Sequence, residues 1–355
     1  MQVGFWTGTA ERVQSGLPLR TSRTDSMTPP LLFTPLIAFV LSFLILFALL
    51  KSGVARHLAM DEPNQRSLHT VPVPRVGGIA IVIAALTAWS LQPEAKLPLA
   101  LLIAALAFIS SVDDRKDLPV VLRLAVHGIA AILVVSDLTV ENLWLAAGLV
   151  SCIVWITNCY NFMDGSDGLA GGMAAFGFSA YGVAAHLAGA EPLAAMSLAM
   201  AAAAVAFLMF NFPPAKVFMG DAGSIPMGFL SATLGLLGWR QGLWPLWFPV
   251  LVFSPFVVDA SVTLLRRLLR GERFWQAHRE HYYQRLIRMG WGHRRTALTE
   301  YALMAGVTAS ALVALRLSQQ DQNLVLAGWS VCYGAMMVAI DVRWKRFLRA
   351  AGEGH

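Results

Sequence analysis

The sequence predicts an all-α, polytopic integral membrane protein with about eleven transmembrane helices and an active site built from cytoplasmic loops. Hydrophobic residues make up 57% of the chain and charged residues 14%, whereas soluble proteins contain about 45–50% apolar and about 25% charged residues. Residues 31–50 carry no charge, over about the length at which a helix crosses a hydrocarbon core of about 30 Å. The acidic clusters lie in short gaps between such stretches. This pattern excludes a soluble protein.

Eleven apolar stretches are predicted to span the membrane, and several of them are interrupted by Gly or Pro. We expect one membrane domain over residues 27–345, with a cytoplasmic basic loop at 266–296 and a cytoplasmic tail at 346–355. The predicted spans cover residues 31–52, 76–92, 97–112, 120–136, 143–158, 169–187, 193–210, 224–238, 245–265, 297–316 and 324–341.

The distribution of Lys and Arg residues indicates how the chain is oriented across the membrane, because short cytoplasmic loops retain positive charge. All but six of the 27 Lys and Arg residues lie in or beside the gaps after odd-numbered spans or in the C-terminal tail. Lys96, Arg240 and Arg316 lie on the opposite side. We therefore expect the acidic gaps to face the cytoplasm, the N-terminus to lie outside and the C-terminus inside. The basic pI then reflects membrane topology, and nucleic acid is not an expected partner.

The first 26 residues fit this topology poorly, because they place Arg12, Arg20 and Arg23 on the exported side. They also lack the apolar run of a secretory signal. We therefore expect a disordered or mis-assigned extension over residues 1–26, with Met27 as the start.

The gap after the third span contains Asp113, Asp114 and Asp117. Such carboxylates are either solvated charges and helix caps, or they bind Mg²⁺ or accept a proton. The sequence of this gap leaves both interpretations open.

Asn158, Asn161 and Asp164 recur at intervals of three, which predicts one helical face at the end of the fifth span. Asp167 follows before the sixth span, where it either caps a helix or belongs to the same site. Polar groups at the end of a membrane helix are unfavourable unless they are partnered. This favours a functional role for the group.

Gly220 and Gly223 flank Asp221 before the eighth span, and the free backbone N–H groups of such a turn suit a phosphate. Ser224 is expected to cap the next helix. Lys216 and Phe218 either supply a cation for a phosphate and a flat ring for a base, or anchor the loop at the membrane interface.

The basic segment from Arg266 to Arg295 either lies on anionic lipid or contacts a phosphate. His278 and His281 are three residues apart, so we expect them to share a helix face and to contact a phosphate. Asp259 lies in an otherwise apolar span, seven residues before Arg266, and is either a functional residue or a member of a helix-to-helix ion pair.

Four strings resemble motifs of the polyprenyl-phosphate N-acetylhexosamine-1-phosphate transferases over roughly residues 56–295. They are DDRKD (113–117), NCYNFMDGSDGLAGG (158–172), FMGDAGS (218–224) and HREHYYQ (278–284). The resemblance implies a protein of the bacterial inner membrane with a cytoplasmic cleft. There undecaprenyl phosphate attacks the sugar-bearing phosphate of a UDP-amino sugar, giving undecaprenyl-diphosphate-sugar and UMP. Joining two phosphates requires neutralisation of their charge, so we expect Mg²⁺, or Mn²⁺ in its place.

The resemblance also implies roles for individual residues. Asp113 is expected to deprotonate the lipid phosphate with Asp114 as its partner, although a route through an aspartyl-phosphate stays open. The expected catalytic residues are Asp113, Asp114, Asp164, His278 and His281, and the expected metal ligands are Asn161, Asp164 and Asp221. The expected substrate-binding residues are Asn158, Asn161, Asp167, Lys216, Phe218, Arg66, His69, Arg75, Arg273 and Arg279, with Asp167 and Phe218 on the uracil.

Two departures favour the branch that initiates O-antigen or common antigen. The first cytoplasmic loop, SLHTVPVPRVGG, lacks the Lys of the peptidoglycan enzymes, and the last loop reads HREH where those enzymes have three His. We therefore expect an amino sugar without a peptide, such as GlcNAc, FucNAc or QuiNAc. A homodimer stays an open expectation.

Two alternatives belong to other classes of protein. A CDP-alcohol phosphatidyltransferase requires Ala-Arg after its second Asp-Gly pair, whereas GLAGG follows Asp167. An ion-coupled transporter places its ionisable groups near the bilayer midplane, whereas here, apart from Asp259, the acidic residues cluster at one face.

Overall fold

The computed structural model describes residues 29–63, 68, 71–92, 97–116, 118–272 and 278–351. The predicted N-terminal extension therefore lies outside the described residues, as do Arg66, His69, Asp117 and Arg273. The described residues are mostly helical and include one antiparallel pair of two-residue strands, β1 (Met60–Asp61) and β2 (Val73–Pro74).

The helices follow the apolar stretches of the sequence. A π-helical turn, Ile287–Trp291, joins the short helix Tyr282–Leu286 to the long helix Gly292–Ala314. The helices are α1 (Pro29–Lys51), α2 (Ala55–Leu58), α3 (Gly77–Ser90), α4 (Leu97–Lys116), α5 (Val120–Asp137), α6 (Leu143–Phe162), α7 (Leu169–Leu187), α8 (Glu191–Asn211), α9 (Asp221–Arg240), α10 (Trp247–Val252), α11 (Ser254–Leu269), α12 (Tyr282–Leu286), α13 (Gly292–Ala314) and α14 (Gln319–Ala350).

These helices confirm the all-α, polytopic class. Within the described ranges, eight helices are long and apolar enough to cross a membrane: α1, α4, α5, α6, α8, α9, the run Tyr282–Ala314 and α14. The other three predicted spans correspond to the short helix α3, to α7, which is rich in Gly and Ala, and to α10 with α11. The ninth predicted span is divided at Phe253, just before Pro255, which lacks a backbone N–H. The count of eleven stays a prediction.

Helix α9 lies at the centre of the bundle. Its residues from Ala222 to Gly238 are buried, and it packs against α3, α4, α6 and α7. Small residues allow this close packing, as is common between membrane helices. A Cβ on Gly228 would lie 2.8 Å from the backbone of Thr157, and one on Gly78 would lie 2.2 Å from the Cα of Gly223. The first turn of α9 is thereby pressed against the first turn of α3.

Backbone pairing holds the segment before α9 against the segment before α3. The Phe218 N–H donates to the Pro74 carbonyl, and its own carbonyl accepts from the Gly77 N–H. The Gly78 N–H donates to the Met219 carbonyl. This pairing places Arg75 beside Gly220, at the same end of the bundle as the C-termini of α4 and α6.

The approach of Gly78 to Gly223 predicts a stability effect. Gly78→Ala is expected to destabilise the protein by about 1–3 kcal/mol, because the two helix backbones must separate to admit a methyl group. The measurement is the unfolding temperature of the detergent-solubilised protein. Gly148→Ala is the control, because a Cβ there meets no atom within 4 Å. Equal unfolding temperatures for the two variants would contradict this packing.

Candidate active site

A cavity of about 290 Å³ opens between the ends of α6 and α9 and the loops that flank them. Six of the residues predicted for the site line it: Arg75, Asn161, Asp164, Asp167, Phe218 and Asp221. These six residues therefore converge, although 146 positions separate Arg75 from Asp221 in the chain. We call this cavity the cleft.

Asp114 joins the end of α4 to the start of α9. Its two carboxylate oxygens accept hydrogen bonds from the backbone N–H groups of Asp221 and Ala222, both at 3.3 Å. A Cβ on Gly220, at φ +71°, would lie 3.0 Å from this carboxylate. Asp114 thus provides the negative charge that a helix N-terminus favours. The expectation that Ser224 caps this helix is wrong, because its hydroxyl donates to Asn161 Oδ1 at 2.6 Å.

Asp113 is buried beside Asp114 and is bound to the next helix. One of its carboxylate oxygens accepts from the Leu118 N–H at 2.7 Å, and the other lies 3.1 Å from Arg123 Nη1. Arg123 also approaches the Asp221 carboxylate, at 4.0 Å. Asp113 is not among the described residues that line the cleft, so its action as a base stays a prediction.

Asp164 reaches the cleft from a turn. Helix α6 ends at Phe162, and the Asp164 N–H donates to the Asn161 carbonyl in the tight turn that follows. The predicted single helical face of Asn158, Asn161 and Asp164 is therefore wrong. Asn158 donates its side-chain N–H to Val154 O in the same helix and does not belong to the described lining of the cleft.

Burial raises the pKa of Asp164 well above its usual value, and the neighbouring carboxylates of Asp221 and Asp114 raise it further. Such mutual repulsion is what a bound cation would relieve. No three His, Cys, Asp or Glu side chains of the described residues form a metal-binding group by themselves. Mg²⁺, however, commonly binds one or two carboxylates, water and substrate phosphates. Asp164, Asp221 and the amide of Asn161 supply suitable oxygen donors in one cleft, so these residues fit Mg²⁺.

Arg75 supplies positive charge among these carboxylates. Its guanidinium lies 2.5 Å from Asp61 Oδ1 and 3.7 Å from Asp114 Oδ1. Burial by itself lowers the pKa of Arg75, but the Asp61 carboxylate and the more distant acids outweigh it and raise that pKa above its usual value. Arg75 therefore stays charged within the cleft.

Asp167 is held at the rim of the cleft. Its Oδ2 accepts from the Ala215 N–H at 3.0 Å, and its Oδ1 lies 3.6 Å from His293 Nδ1. It does not cap α7, because the residue at that position is Gly168, at φ +77°. Lys216, next to Ala215, is exposed and is absent from the described cleft lining.

Buried hydrogen bonds fix the two loops that carry Asp167 and Phe218. Asn211 accepts from the Gly168 N–H at 2.9 Å and donates to the Val217 carbonyl at 2.8 Å. Tyr301 donates its hydroxyl to the Gly168 carbonyl at 2.6 Å. One amide thus bridges both loops from the end of α8.

His278 and His281 lie outside the described lining of the cleft. Their rings are 4.8 Å apart, but helix α12 begins only at Tyr282, so the predicted shared helix face is wrong. Burial lowers the pKa of His278 to about 4, and His281 and Arg267 lower it as well. His278 is therefore neutral at pH 7, and its Nδ1 accepts from the Glu280 N–H.

Asp259 positions the His281 segment. Its carboxylate accepts from the Tyr282 N–H at 2.9 Å and the Tyr283 N–H at 3.1 Å, and it lies 3.3 Å from His281 Nδ1. Arg266, seven residues further along α11, lies 2.6 Å from Asp341 Oδ2 on α14. Asp259, which belongs to helix α11, therefore caps the first turn of α12.

Acidic residues pair with several arginines of the basic segment. Arg285 lies 2.8 Å from Asp341, and Arg267 lies 3.0 Å from Glu280. Arg270 contacts Glu280 and also Glu272. Arg279 is half-buried, and it too lies outside the part of the cleft that the structure describes.

Sequence reasoning missed five residues in or beside the cleft: Asp61, Arg123, Asn211, Gln284 and His293. Asn211 had a detectable signal, because it is a polar residue at the end of a membrane helix, where burial requires a partner. Gln284 ends the string HREHYYQ, although no role was expected of it. Asp61 and Arg123 pair with residues 14 and 10 positions away, and His293 contacts residues more than 100 positions away, and no local pattern marks these three.

Known proteins resemble this chain over most of its length. Residues 97–238 match the family described as "Glycosyl transferase family 4". The chain is 30% identical over 301 residues to the "Probable undecaprenyl-phosphate N-acetylglucosaminyl 1-phosphate transferase" of Bacillus subtilis, with 78% of this chain and 84% of the relative covered. It is 27% identical over 345 residues to the "Undecaprenyl-phosphate alpha-N-acetylglucosaminyl 1-phosphate transferase" of Yersinia pestis, with 87% and 93% covered. It is also 28% identical over 329 residues to the "Decaprenyl-phosphate N-acetylglucosaminephosphotransferase" of Mycobacterium leprae, with 79% and 83% covered.

Asn211 provides a test of the polar scaffold. Asn211→Asp keeps the shape of the side chain but removes the N–H group that donates to Val217 O, so a carboxylate would face a carbonyl. We expect destabilisation of about 1–3 kcal/mol, measured as a lower unfolding temperature. Asn142→Asp is the control, because Asn142 caps α6 only as an acceptor, which Asp also provides. A loss of equal size in both variants would show that the Asn211 bridge has no special role.

Proposed function

We propose that this protein transfers an amino sugar 1-phosphate from a UDP-sugar to undecaprenyl phosphate. The chain belongs to glycosyl transferase family 4, the polyprenyl-phosphate N-acetylhexosamine-1-phosphate transferases. The chain is a multi-pass membrane enzyme, a sugar-phosphate transferase that acts on a polyprenyl phosphate. Family membership sets aside the phosphatidyltransferase and transporter interpretations. The donor, the metal, the residue roles and the pathway are our proposals.

The convergence of Asp114, Asp164 and Asp221 around Arg75 is the observation that supports this reaction best. In the proposed reaction, an oxygen of the lipid phosphate attacks the phosphorus that carries the sugar. A new P–O bond forms as the bond to UMP breaks, and UMP leaves with the electron pair. The products are undecaprenyl-diphosphate-sugar and UMP, so the number of phosphate groups is conserved.

The proposed metal ligands are Asp164, Asp221 and Asn161. A bound Mg²⁺, or Mn²⁺ in its place, would neutralise phosphate charge and orient the two substrates. Arg75 is proposed to contact the phosphates directly, since its charge lies within the cleft. Further positive charge is proposed from Arg66, His69, Lys216, Arg273 and Arg279.

Asp113 is proposed to take the proton of the lipid phosphate, with Asp114 as its partner. The Arg123 guanidinium orients the Asp113 carboxylate, and it contacts both this carboxylate and that of Asp221. An aspartyl-phosphate intermediate remains the alternative route. His278 and His281 are proposed to approach the diphosphate, and His278 would do so as a neutral hydrogen-bond donor rather than as a cation.

Asp167 and Phe218, which both line the cleft, are proposed to bind the uracil, as the resemblance to the family implies. Asn158 is proposed as a more distant contact on the same side. The names of the similar proteins support GlcNAc as the first sugar to test. FucNAc and QuiNAc are the next candidates, and initiation of O-antigen or another cell-surface polysaccharide is the proposed pathway.

The distribution of Lys and Arg supports a location in the bacterial inner membrane with the cleft on the cytoplasmic side. The proposed orientation places the N-terminus outside and the C-terminus inside. Nucleotide sugars are soluble and charged, so a cytoplasmic cleft suits the donor. A homodimer stays a prediction.

A panel of donors tests the reaction. Purified protein with Mg²⁺ and undecaprenyl phosphate is expected to release UMP from UDP-GlcNAc, or from UDP-FucNAc or UDP-QuiNAc, and to form a lipid-linked diphosphate sugar. The measurement is chromatography of the nucleotide and lipid products. Release of UDP or of free sugar without UMP would show that a different bond breaks, and the proposal would fail.

Asp221→Asn tests the metal assignment. We expect turnover to fall by on the order of 100-fold or more, because loss of one carboxylate weakens both Mg²⁺ binding and charge neutralisation. UMP release is measured over a range of Mg²⁺ concentrations, and the unfolding temperature verifies the fold. Asp137→Asn is the control, since Asp137 is exposed at the far end of α5. If both variants had near-normal rates at every concentration, Asp221 would not be a ligand.

A further inference from the structure

The histidine at the start of α13 joins two walls of the cleft. His293 is the second residue of α13 and follows a π-helical turn and two glycines with positive φ, Gly290 and Gly292. Its side chain is 20% exposed and lines the cleft. The irregular backbone before it therefore aims an imidazole from a membrane helix back toward the site.

Both ring nitrogens of His293 have protein partners. Its Nε2 lies 3.1 Å from the Leu68 carbonyl, which can only accept a hydrogen bond, so Nε2 carries the hydrogen. Its Nδ1 lies 3.0 Å from the Ser166 hydroxyl and 3.4 Å from the Asp167 N–H. In the tautomer with hydrogen on Nε2, Nδ1 accepts from both groups. Every polar atom of the ring is then satisfied by the protein.

These partners come from two segments that the cleft separates. Leu68 belongs to the loop between β1 and β2, which precedes Arg75. Ser166 and Asp167 belong to the turn that follows Asp164. Among the described residues, the Asp167 carboxylate accepts one hydrogen bond, from the Ala215 N–H at 3.0 Å. His293 therefore adds a constraint on Ser166 and the Asp167 N–H, whereas Asn211 and Tyr301 hold the next residue, Gly168.

We propose that His293 is a positioning residue, which holds the turn of Ser166 and Asp167 in the geometry that binds the nucleotide of the donor. The inference rests on the proposed function for its substrate. His293 is not a catalytic residue, because its nitrogens are occupied and leave no group free for proton transfer. Its effect falls on donor binding, since Asp167 is on the proposed uracil side of the cleft, away from the attacking lipid phosphate.

Two isosteric variants separate its two contacts. In His293→Asn, the amide oxygen reaches the Nδ1 position and can still accept from Ser166 and Asp167. In His293→Gln, the amide nitrogen reaches the Nε2 position and keeps only the contact with Leu68. Because both replacements are polar and similar in size, a difference between them reports the lost contact and not a general loss of folding. Arg294→Gln is the control, because Arg294 is exposed one residue further along the same helix.

Steady-state kinetics provide the first measurement. His293→Gln and His293→Ala are expected to raise KM for the UDP-sugar about tenfold, which corresponds to about 1.4 kcal/mol, and to change kcat by less than about threefold. His293→Asn and Arg294→Gln are expected to keep the wild-type KM. Equal KM values for the Asn and Gln variants, or a fall in kcat with KM unchanged, would overturn the assignment.

Hydrogen exchange provides a second measurement that needs no turnover. The backbone N–H of Asp167 is expected to exchange faster in the Gln and Ala variants than in the wild type, and at the wild-type rate in the Asn variant. If the wild-type protein released UMP from none of the UDP-sugars, the proposed function would fail. Hydrogen exchange at the Asp167 N–H would then be the test of the role of His293. The same exchange rate in all variants would refute the role of His293.

Discussion

The N-terminus of α9 is the point on which the whole site depends. Asp114 accepts the first two amide hydrogens of this helix, and the backbone of Gly78 meets that of Gly223 in the same first turn. Because the first N–H groups of a helix have no partner inside the helix, they bind the Asp114 side chain, which keeps Asp221 beside it. The acidic centre therefore exists only while α3, α4 and α9 are in close contact, which the small residues between these helices permit.

A polar scaffold of loops surrounds this acidic centre. Asn211, Tyr301 and His293 are side chains of membrane helices, yet each bonds the backbone of a loop that borders the cleft. The bonds of Asn211 are buried, so the groups that they join have no water to bind if they separate. A cleft held in this way is organised before its substrates arrive, which is the condition for efficient electrostatic catalysis.

Several arginines of the basic segment pair with acidic residues, so only part of its positive charge is available to a substrate. Asp341 of α14 pairs with Arg266 and Arg285, and Glu280 pairs with Arg267. Apart from Tyr333, no residue of α14 is buried, so these ion pairs form much of its connection to the site. Asp259 and Asp341 thereby hold α12, with His281 at its start, from two different helices.

The sequence by itself determined the membrane class, the positions of most helices and the motifs whose side chains line the cleft. Apolar runs of membrane length and acidic residues at their ends are local patterns, and both follow from the unfavourable burial of polar groups in lipid. Only the tertiary structure decided the partners: Asp259 with His281 and the α12 backbone, Asp61 with Arg75, and His293 with Leu68 and Ser166. Most of these contacts join residues far apart in the chain, so they depend on how the helices pack, which no local spacing records.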